Sequence, residues 1–195
     1  MRTIDAGSLT LEPQTRSHAE EMFAVLGDPA IYAYENAPPP SVEWLRARFE
    51  KLESRQSADG ALQWLNWVIR LAGNGLIGYV QATVRSDGSA AIAYEMGSAH
   101  WGRGHGRRAT EAMLAELVDH YRVTTFYAVA KQGNFRSLRL LERLGFAVGS
   151  PELRAARGAL ADETLMFRNV DRSCAAGMAG DSRSRADEAG HDHDQ

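Results

Sequence analysis

The sequence predicts an α/β fold, and three observations support this. Two segments, 64–71 and 76–84, are rich in β-branched and aromatic residues and are separated by Ala-Gly-Asn-Gly, a hairpin signal. A third strand-like segment, 92–96, follows a turn at 86–89, so we expect a three-strand antiparallel meander. An amphipathic helix and another strand come next. A strand–helix–strand crossover predicts that those last two strands lie parallel.

The part of the chain before the meander predicts one short strand and two helices. The strand is expected at 8–11, and a helical stripe of apolar residues follows at 15–26, stopped by an Asp-Pro dipeptide. A proline-punctuated loop occupies 32–40. Ser41 then has the character of an N-cap for a second helix, which we expect to reach about Arg55.

The part after the meander predicts the crossover and a closing hairpin. Apolar residues recur at helical spacing over about 104–121, and a β-rich segment follows at 124–130. Asn134 is expected to cap a helix, and a glycine stands after the last turn of that helix. The remaining predicted elements, in order, are the helix at 135–144 and strands at 146–148 and 162–168.

Composition predicts one domain with a tail. The chain has 195 residues, 44% hydrophobic and 24% charged, enough for one substantial core. We expect the domain at 1–170. From residue 171 to 195 the chain is polar with almost no large apolar residues, which predicts disorder. The single cysteine falls in that tail and is assigned no chemistry, and no metal site is expected.

Other sequence features exclude several classes of partner. No run of about 18 apolar residues occurs, and the first residues lack the apolar centre of a signal peptide, so a cytoplasmic protein without membrane contact is expected. The net charge of −3 gives no reason to expect direct nucleic-acid binding. The sequence allows a homodimer but does not require one.

A glycine-rich loop between strand 92–96 and the following helix predicts a ligand that carries phosphate. Such a loop exposes backbone N–H groups at a helix N-terminus, where glycine lets phosphate oxygens approach closely. Three arginines add positive charge at the same point. The residues concerned are Gly102, Gly104 and Gly106, with Arg103, Arg107 and Arg108.

The glycine spacing distinguishes between phosphate-binding motifs. It fits neither the dinucleotide pattern G-x-G-x-x-G nor a Walker loop. It does fit most of Gln/Arg-x-x-Gly-x-Gly/Ala, with Trp101 in the first position, and the segment 134–146 has the form Asn-x-x-Ser followed by Leu-Gly-Phe. On these two motifs the chain resembles the GNAT acetyltransferase superfamily, in particular the branch of bacterial ribosomal-protein alanine and serine N-acetyltransferases.

The resemblance implies a GNAT fold and acetyl-CoA as acyl donor. That fold has a central mixed, mostly antiparallel sheet of six to seven strands, flanked by about four helices and splayed between the two central parallel strands. The pantetheine arm of the donor would fill the splay. The residues expected to bind the donor are Met96, Gly97, Trp101, Gly102, Arg103, Gly104, His105, Gly106, Arg107, Arg108, Asn134 and Ser137.

Acetyl transfer to an amine predicts a base near the end of the central strand. Glu95 is the leading candidate, and the alternative interpretation is a strand-edge carboxylate paired with an arginine. His100 and Glu35 are weaker candidates for the base. The strand backbone near Met96 and Gly97 is expected to donate to the developing oxyanion.

The acid that protonates the leaving sulfur is less clearly indicated. Many relatives have a tyrosine seven residues after the asparagine, but this chain has Leu141 there. Ser137 is the catalytic candidate for relaying a proton to sulfur, although solvent could serve as the acid.

The acceptor is expected to be a primary amine, either a protein N-terminal α-amine or a small molecule. The helices and loop before the meander correspond to the region that covers the acceptor in the family. Tyr32, Tyr34 and Glu35 are therefore predicted to bind substrate, with simple packing of the loop as the alternative. A non-catalytic acyl-CoA-binding module is the other functional hypothesis, because the usual tyrosine is absent.

Overall fold

The computed structural model describes residues 1–34 and 36–170, which form one eight-stranded sheet with helices on both faces. Glu35 and the predicted tail at 171–195 lie outside the described residues. The strands are β1 Ile4–Asp5, β2 Leu9–Pro13, β3 Leu62–Leu71, β4 Gly75–Arg85, β5 Ser89–Met96, β6 Thr125–Lys131, β7 Ala147–Val148 and β8 Glu163–Asn169. The helices are α1 Ala19–Leu26, α2 Val42–Leu52, α3 His105–Tyr121, α4 Phe135–Arg143 and α5 Pro151–Ala156.

The strands follow the order β1-β2-β3-β4-β5-β6-β8-β7, in which β5 and β6 are parallel and all other neighbours are antiparallel. This arrangement confirms the mixed, mostly antiparallel sheet and the parallel central pair. There is one strand more than expected, because the two-residue β1 is too short to produce a periodic pattern. In the described part of the chain, none of the helices combines the length and apolar character that a membrane crossing requires.

Several element boundaries differ from the prediction. The first turn of the helix expected at 15–26 is a 3-10 turn, Arg16–His18, and the α-helix begins only at Ala19. Helix α2 ends at Leu52, three residues early. Helix α5 was not predicted, although Ser150 caps it and Pro151 occupies its first turn, both ordinary start signals.

The sheet separates two apolar cores, and β3 contributes to both. Trp67 and Ile69 are buried in the larger core, beneath α3 and α4. Val68, which lies between them in sequence, is buried in the smaller core with α1 and α2. Successive side chains of a strand point to opposite faces, so a strand covered on both sides reads as a continuous apolar run.

The two central strands diverge after three paired residues. Strand β5 pairs with β6 from Ser89 opposite Thr125 to Ala91 opposite Tyr127. Beyond this point both strands continue, but each is bonded only to its outer neighbour, β4 or β8. The backbone of β5 facing β6 is thus left without a strand partner near its end, and a slot opens there.

The end of β5 is held by an unusually close contact with β4. Gly78 lies opposite Met96, and a Cβ added at Gly78 would come within 2.8 Å of the Met96 Cα and even closer to the Glu95 carbonyl oxygen. Only glycine allows this approach of the two backbones. The position of the last residues of β5 therefore depends on the missing side chain.

We expect Gly78→Ala to destabilise the fold by about 1–3 kcal/mol or more, because backbone must move to admit the methyl group. Thermal and urea unfolding would measure the loss. Gly27→Ala is the matched control, since its added Cβ would make only ordinary contacts of 3.4 Å and longer. Equal stability of the two variants would contradict the close-approach argument.

Candidate functional site

A cavity of about 670 Å³ lies at the diverging ends of β5 and β6, between the glycine loop and α4. Its volume is typical of small-molecule sites. Of the predicted residues, Glu95 and Met96 line it from β5, Asn134 and Ser137 from the start of α4, and Tyr34 from the segment between α1 and α2. The loop and α3 contribute Trp101, Gly102, Gly104, His105, Gly106 and Arg107.

Some predicted residues do not line this cavity. They are Tyr32, Gly97, Arg103 and Arg108. His100, one of the two weaker candidates for the base, does line it. A second cavity of about 400 Å³, beside α3, β6 and β8, contains none of the predicted residues.

The glycine loop presents the N-terminus of α3 to the cavity. Gly104 caps the helix in the left-handed conformation with φ of +81°, and a Cβ added there would meet no atom within 4 Å. The first backbone N–H groups of a helix have no partner within the helix, and the helix dipole favours an anion beside them. Free space in front of these donors is what a phosphate group needs.

A buried polar atom beside the loop is also consistent with a ligand. The Nδ1 atom of His100 is buried without a hydrogen-bond partner in the described part of the chain. The neighbouring His105 has a pKa below its usual value, first because of burial and then because His100, Arg103 and Arg108 are close. Open helix donors, an unpaired buried nitrogen and positive surroundings fit the diphosphate of CoA.

The arginines of the loop and α3 are largely engaged in other contacts. Arg107 forms an ion pair with Glu111 at 2.8 Å, one turn along α3. Arg108 donates to the Ser8 hydroxyl at 2.7 Å, on the N-terminal side of the sheet. The contact with Ser8 joins α3 to the N-terminal part of the sheet, and both contacts reduce what the two side chains can offer a phosphate.

Three arginines that sequence analysis did not single out line the cavity from α4. They are Arg136, Arg139 and Arg143. Their spacing of three and four residues places them on one face of the helix. The spacing of the three arginines is visible in the sequence of the Asn-x-x-Ser segment. Only the tertiary structure shows that this face of α4 borders the cavity.

Trp101 connects the loop to the strand and to α4. Its indole N–H donates to the Met96 carbonyl at 2.7 Å, which fixes the plane of the ring. The guanidinium carbon of Arg136 lies 3.5 Å from the ring centre, in cation–π contact. The tryptophan that replaces Gln or Arg of the motif is thus a support for an arginine from another element.

The backbone at the end of β5 divides its donors between β4 and the slot. The N–H of Gly97 donates to the Ile77 carbonyl at 3.0 Å, so it is used within the sheet. Along an antiparallel strand, the backbone N–H groups of successive residues point alternately toward and away from a given neighbouring strand. Because the N–H of Gly97 points toward β4, the N–H of Met96 points away from β4 and toward the slot. Of the two expected oxyanion donors, Met96 is therefore the available one.

Glu95 lies on the opposite face of β5 from Tyr94, between two tyrosines. It pairs across strands with Tyr79, whose hydroxyl hydrogen-bonds the Glu95 carboxylate. Burial, and secondly the Glu95 charge, raise the pKa of Tyr79 well above its usual value and that of Tyr32 to about 12. Both phenols therefore stay protonated at neutral pH.

Tyr94 and Ser137 join β5 to α4 on the other face. Their hydroxyl oxygens are 2.9 Å apart, and either can be the donor. Burial raises the pKa of Tyr94 to about 12, against the opposing effect of this hydrogen bond. Asn134 caps α4 by accepting from the Ser137 N–H at 3.1 Å, as its position predicts. Leu141 is fully buried in the core, so it cannot replace the missing tyrosine.

The segment that follows α1 is tied to the glycine loop by Asp28. Its carboxylate accepts from the Ser98 N–H at 2.6 Å and from the Ala30 N–H at 3.0 Å. Hydrogen bonds from Ser98, first from its side chain and then from its backbone, lower the pKa of Asp28. The hydroxyl of Tyr32 donates to the Leu26 carbonyl at 2.8 Å. Tyr34 is 46% exposed at the mouth of the cavity, with its ring against Gly133.

The splayed sheet, the glycine loop at a helix N-terminus and the cavity between them define the class of acyl-CoA-dependent transferases. The model of the acetyltransferase (GNAT) domain family matches residues 8–147. The chain belongs to the GNAT acetyltransferase family, in which acetyl-CoA is the acyl donor. Among curated protein sequences, none matches the chain.

Solved structures of acetyltransferases are similar in fold. RimL, a ribosomal L7/L12 alpha-N-protein acetyltransferase in complex with coenzyme A, gives a TM-score of 0.72 at 16% identity over 87% of this chain and 98% of its own. An acetyltransferase from Thermus thermophilus gives 0.66 at 22% identity over 85% and 99%. The ribosomal-protein-S5-alanine acetyltransferase from Vibrio fischeri gives 0.70 at 16% over 87% and 97%. Likeness at this identity shows the fold alone.

We expect Gly104→Val to abolish measurable CoA binding, because the side chain would fill the space in front of the helix donors. Calorimetric titration with CoA is the measurement. Gly60→Val is the matched control, since Gly60 has a similar φ of +71° in open space away from the cavity. Retained CoA affinity in the Gly104 variant would remove the loop from the site.

Proposed function

We propose that the chain transfers an acetyl group from acetyl-CoA directly to a primary amine within a ternary complex. One observation carries this proposal. A single cavity is lined by the donor-side features, namely the N-terminus of α3 and the end of β5, and also by Glu95. A direct transfer needs no nucleophilic side chain, only correct placement of both substrates, a base and an oxyanion donor.

The proposed roles of the residues follow from the two faces of β5. The bound donor supplies a thioester whose carbonyl can be attacked. On one face, Glu95 accepts the proton that the amine loses. Between the faces, the N–H of Met96 donates to the oxygen on which negative charge develops. On the other face, the Ser137 hydroxyl is held by Tyr94, 2.9 Å away, where it can donate to the leaving sulfur.

The acceptor class that we favour is the N-terminal α-amine of a protein. The mouth of the cavity is flanked by Tyr34, 46% exposed, and Phe135, 66% exposed, so it is an open aromatic entrance that suits an extended peptide. The similar structures include enzymes described as acting on ribosomal protein L7/L12 and on an alanine of ribosomal protein S5. A small-molecule amine is the competing acceptor class.

The test of the proposed function is CoA release from acetyl-CoA in the presence of an acceptor panel. The panel contains short peptides with free and with blocked N-termini, and small amines without a peptide bond. Release with free peptides only supports the favoured acceptor, and release with small amines only overturns that choice. Binding of acetyl-CoA without CoA release in the presence of any acceptor favours the non-catalytic module. The observation that supports this module is the buried Leu141, which stands where many relatives have a tyrosine.

Glu95→Gln tests the base. We expect kcat to fall by about 10²- to 10⁴-fold while the affinity for acetyl-CoA is unchanged, because the amide cannot take the amine proton. The turnover of the variant should partly recover at high pH, since an α-amine with a pKa of about 8 is then already deprotonated. A matched control is Glu50→Gln, which removes an exposed carboxylate on α2 that pairs with Arg16 and does not line the cavity. Equal turnover in both variants would leave Glu95 a structural carboxylate.

Tyr94→Phe tests the support of Ser137. We expect kcat to fall by about two- to tenfold, the worth of one hydrogen bond, with little change in acetyl-CoA affinity. The double variant with Ser137→Ala should be no slower than Ser137→Ala alone, because the two hydroxyls act through one contact. Tyr127→Phe, which removes a hydroxyl on β6, is the control. Additive losses in the double variant would show that Tyr94 acts elsewhere.

A further inference from the structure

The cationic side chains that border the cavity come mainly from one face of α4. Arg136, Arg139 and Arg143 are all exposed, and none of them has a carboxylate within ion-pair distance among the described residues. By contrast, Arg107 and Arg108 on α3 already have partners. Three like charges on one helix face repel one another, which costs stability unless an anion lies beside them.

One member of this face is held in place before any ligand arrives. The Trp101 ring is anchored through its N–H to the Met96 carbonyl, and the guanidinium carbon of Arg136 lies over the ring, 3.5 Å from its centre. Stacking uses the faces of the guanidinium and leaves its in-plane N–H groups free to donate. A stacked arginine of this kind is well suited to a phosphate, which can accept two of these N–H groups at once.

The helix N-terminus accounts for only part of the phosphate that CoA carries. The diphosphate fits the first N–H groups of α3, as argued above for the glycine loop. CoA also carries a monoester phosphate on the 3′ oxygen of its ribose, with a charge of about −1.5 to −2 near neutral pH. Helix α4 packs directly beside the N-terminus of α3, since a Cβ added at Gly106 would lie 3.7 Å from Leu140.

We propose that Arg136, supported by Trp101 and joined by Arg139 and Arg143, recognises the 3′-phosphate of the donor and makes the chain selective for CoA over 3′-dephospho-CoA. The inference rests on the proposed function only in placing CoA in this cavity. In this inference the arginine face of α4 binds the 3′-phosphate. The glycine loop and the start of α3 bind the diphosphate, which CoA and 3′-dephospho-CoA share.

The test is calorimetric titration of the full chain with CoA and, separately, with 3′-dephospho-CoA. We expect wild-type protein to bind CoA about ten- to a hundredfold more tightly, the effect of charge-assisted hydrogen bonds to one phosphate. Arg136→Ala and Arg139→Ala should each weaken CoA binding by about tenfold and leave dephospho-CoA binding within about twofold. Trp101→Leu should also reduce the preference, although it removes no charge.

Lys51→Ala is the control, because it removes one exposed positive charge on α2 without touching the cavity. Equal wild-type affinity for the two ligands would overturn the inference. So would variants that weaken both ligands by the same factor, since the arginines would then serve the diphosphate or the fold. Failure of wild-type protein to bind either ligand would instead remove the proposed function itself, an outcome that is distinct from loss of discrimination.

Discussion

The early end of hydrogen bonding between β5 and β6 is the constraint on which the site depends. The two strands share three paired residues, and then β5 follows β4 while β6 follows β8. Gly78 permits the close approach that keeps the end of β5 with β4. Backbone groups of β5 that would be used in a continuous sheet therefore face a slot, and buried backbone groups require partners. A ligand with amide groups can supply them.

Positive charge at the cavity comes from two sources, the backbone N–H groups of α3 and the arginine side chains of α4. The glycine motif alone indicates only the first. The motif places arginines around the helix N-terminus, but two of these, Arg107 and Arg108, hold α3 to itself and to Ser8. Positive charge toward the cavity comes instead from the face of α4. The backbone N–H groups of α3 have fixed directions, whereas Arg139 and Arg143 of α4 are exposed side chains that can adjust, so the two elements suit different parts of one ligand.

Sequence periodicity predicted most of the fold because strands and helices here have regular burial patterns. The β3–β4 hairpin, the strand–helix–strand crossover and the cap at Asn134 follow from local residue types. Local patterns could not show that the Gly97 N–H is used by Ile77, or that Arg136 reaches Trp101, because both contacts join segments that only the tertiary fold brings together. Strand β1 was too short to detect, and α5 was missed although its start signals were present.

Strand alternation separates the two proton movements of the proposed reaction. Tyr94 packs toward the larger core and contacts Ser137 of α4, whereas Glu95, the next residue, meets Tyr79 on the side of α1 and α2. An amine that gives its proton to Glu95 must then approach from the α1 and α2 face, and the sulfur must leave toward α4. The N–H of Met96 lies in the plane between them. Because Tyr94 and Glu95 are adjacent residues of one strand, a one-residue slip of β5 would exchange the faces on which they lie. The close contact at Gly78 opposes that slip, so the same glycine that opens the slot also keeps the base and the leaving-group side apart.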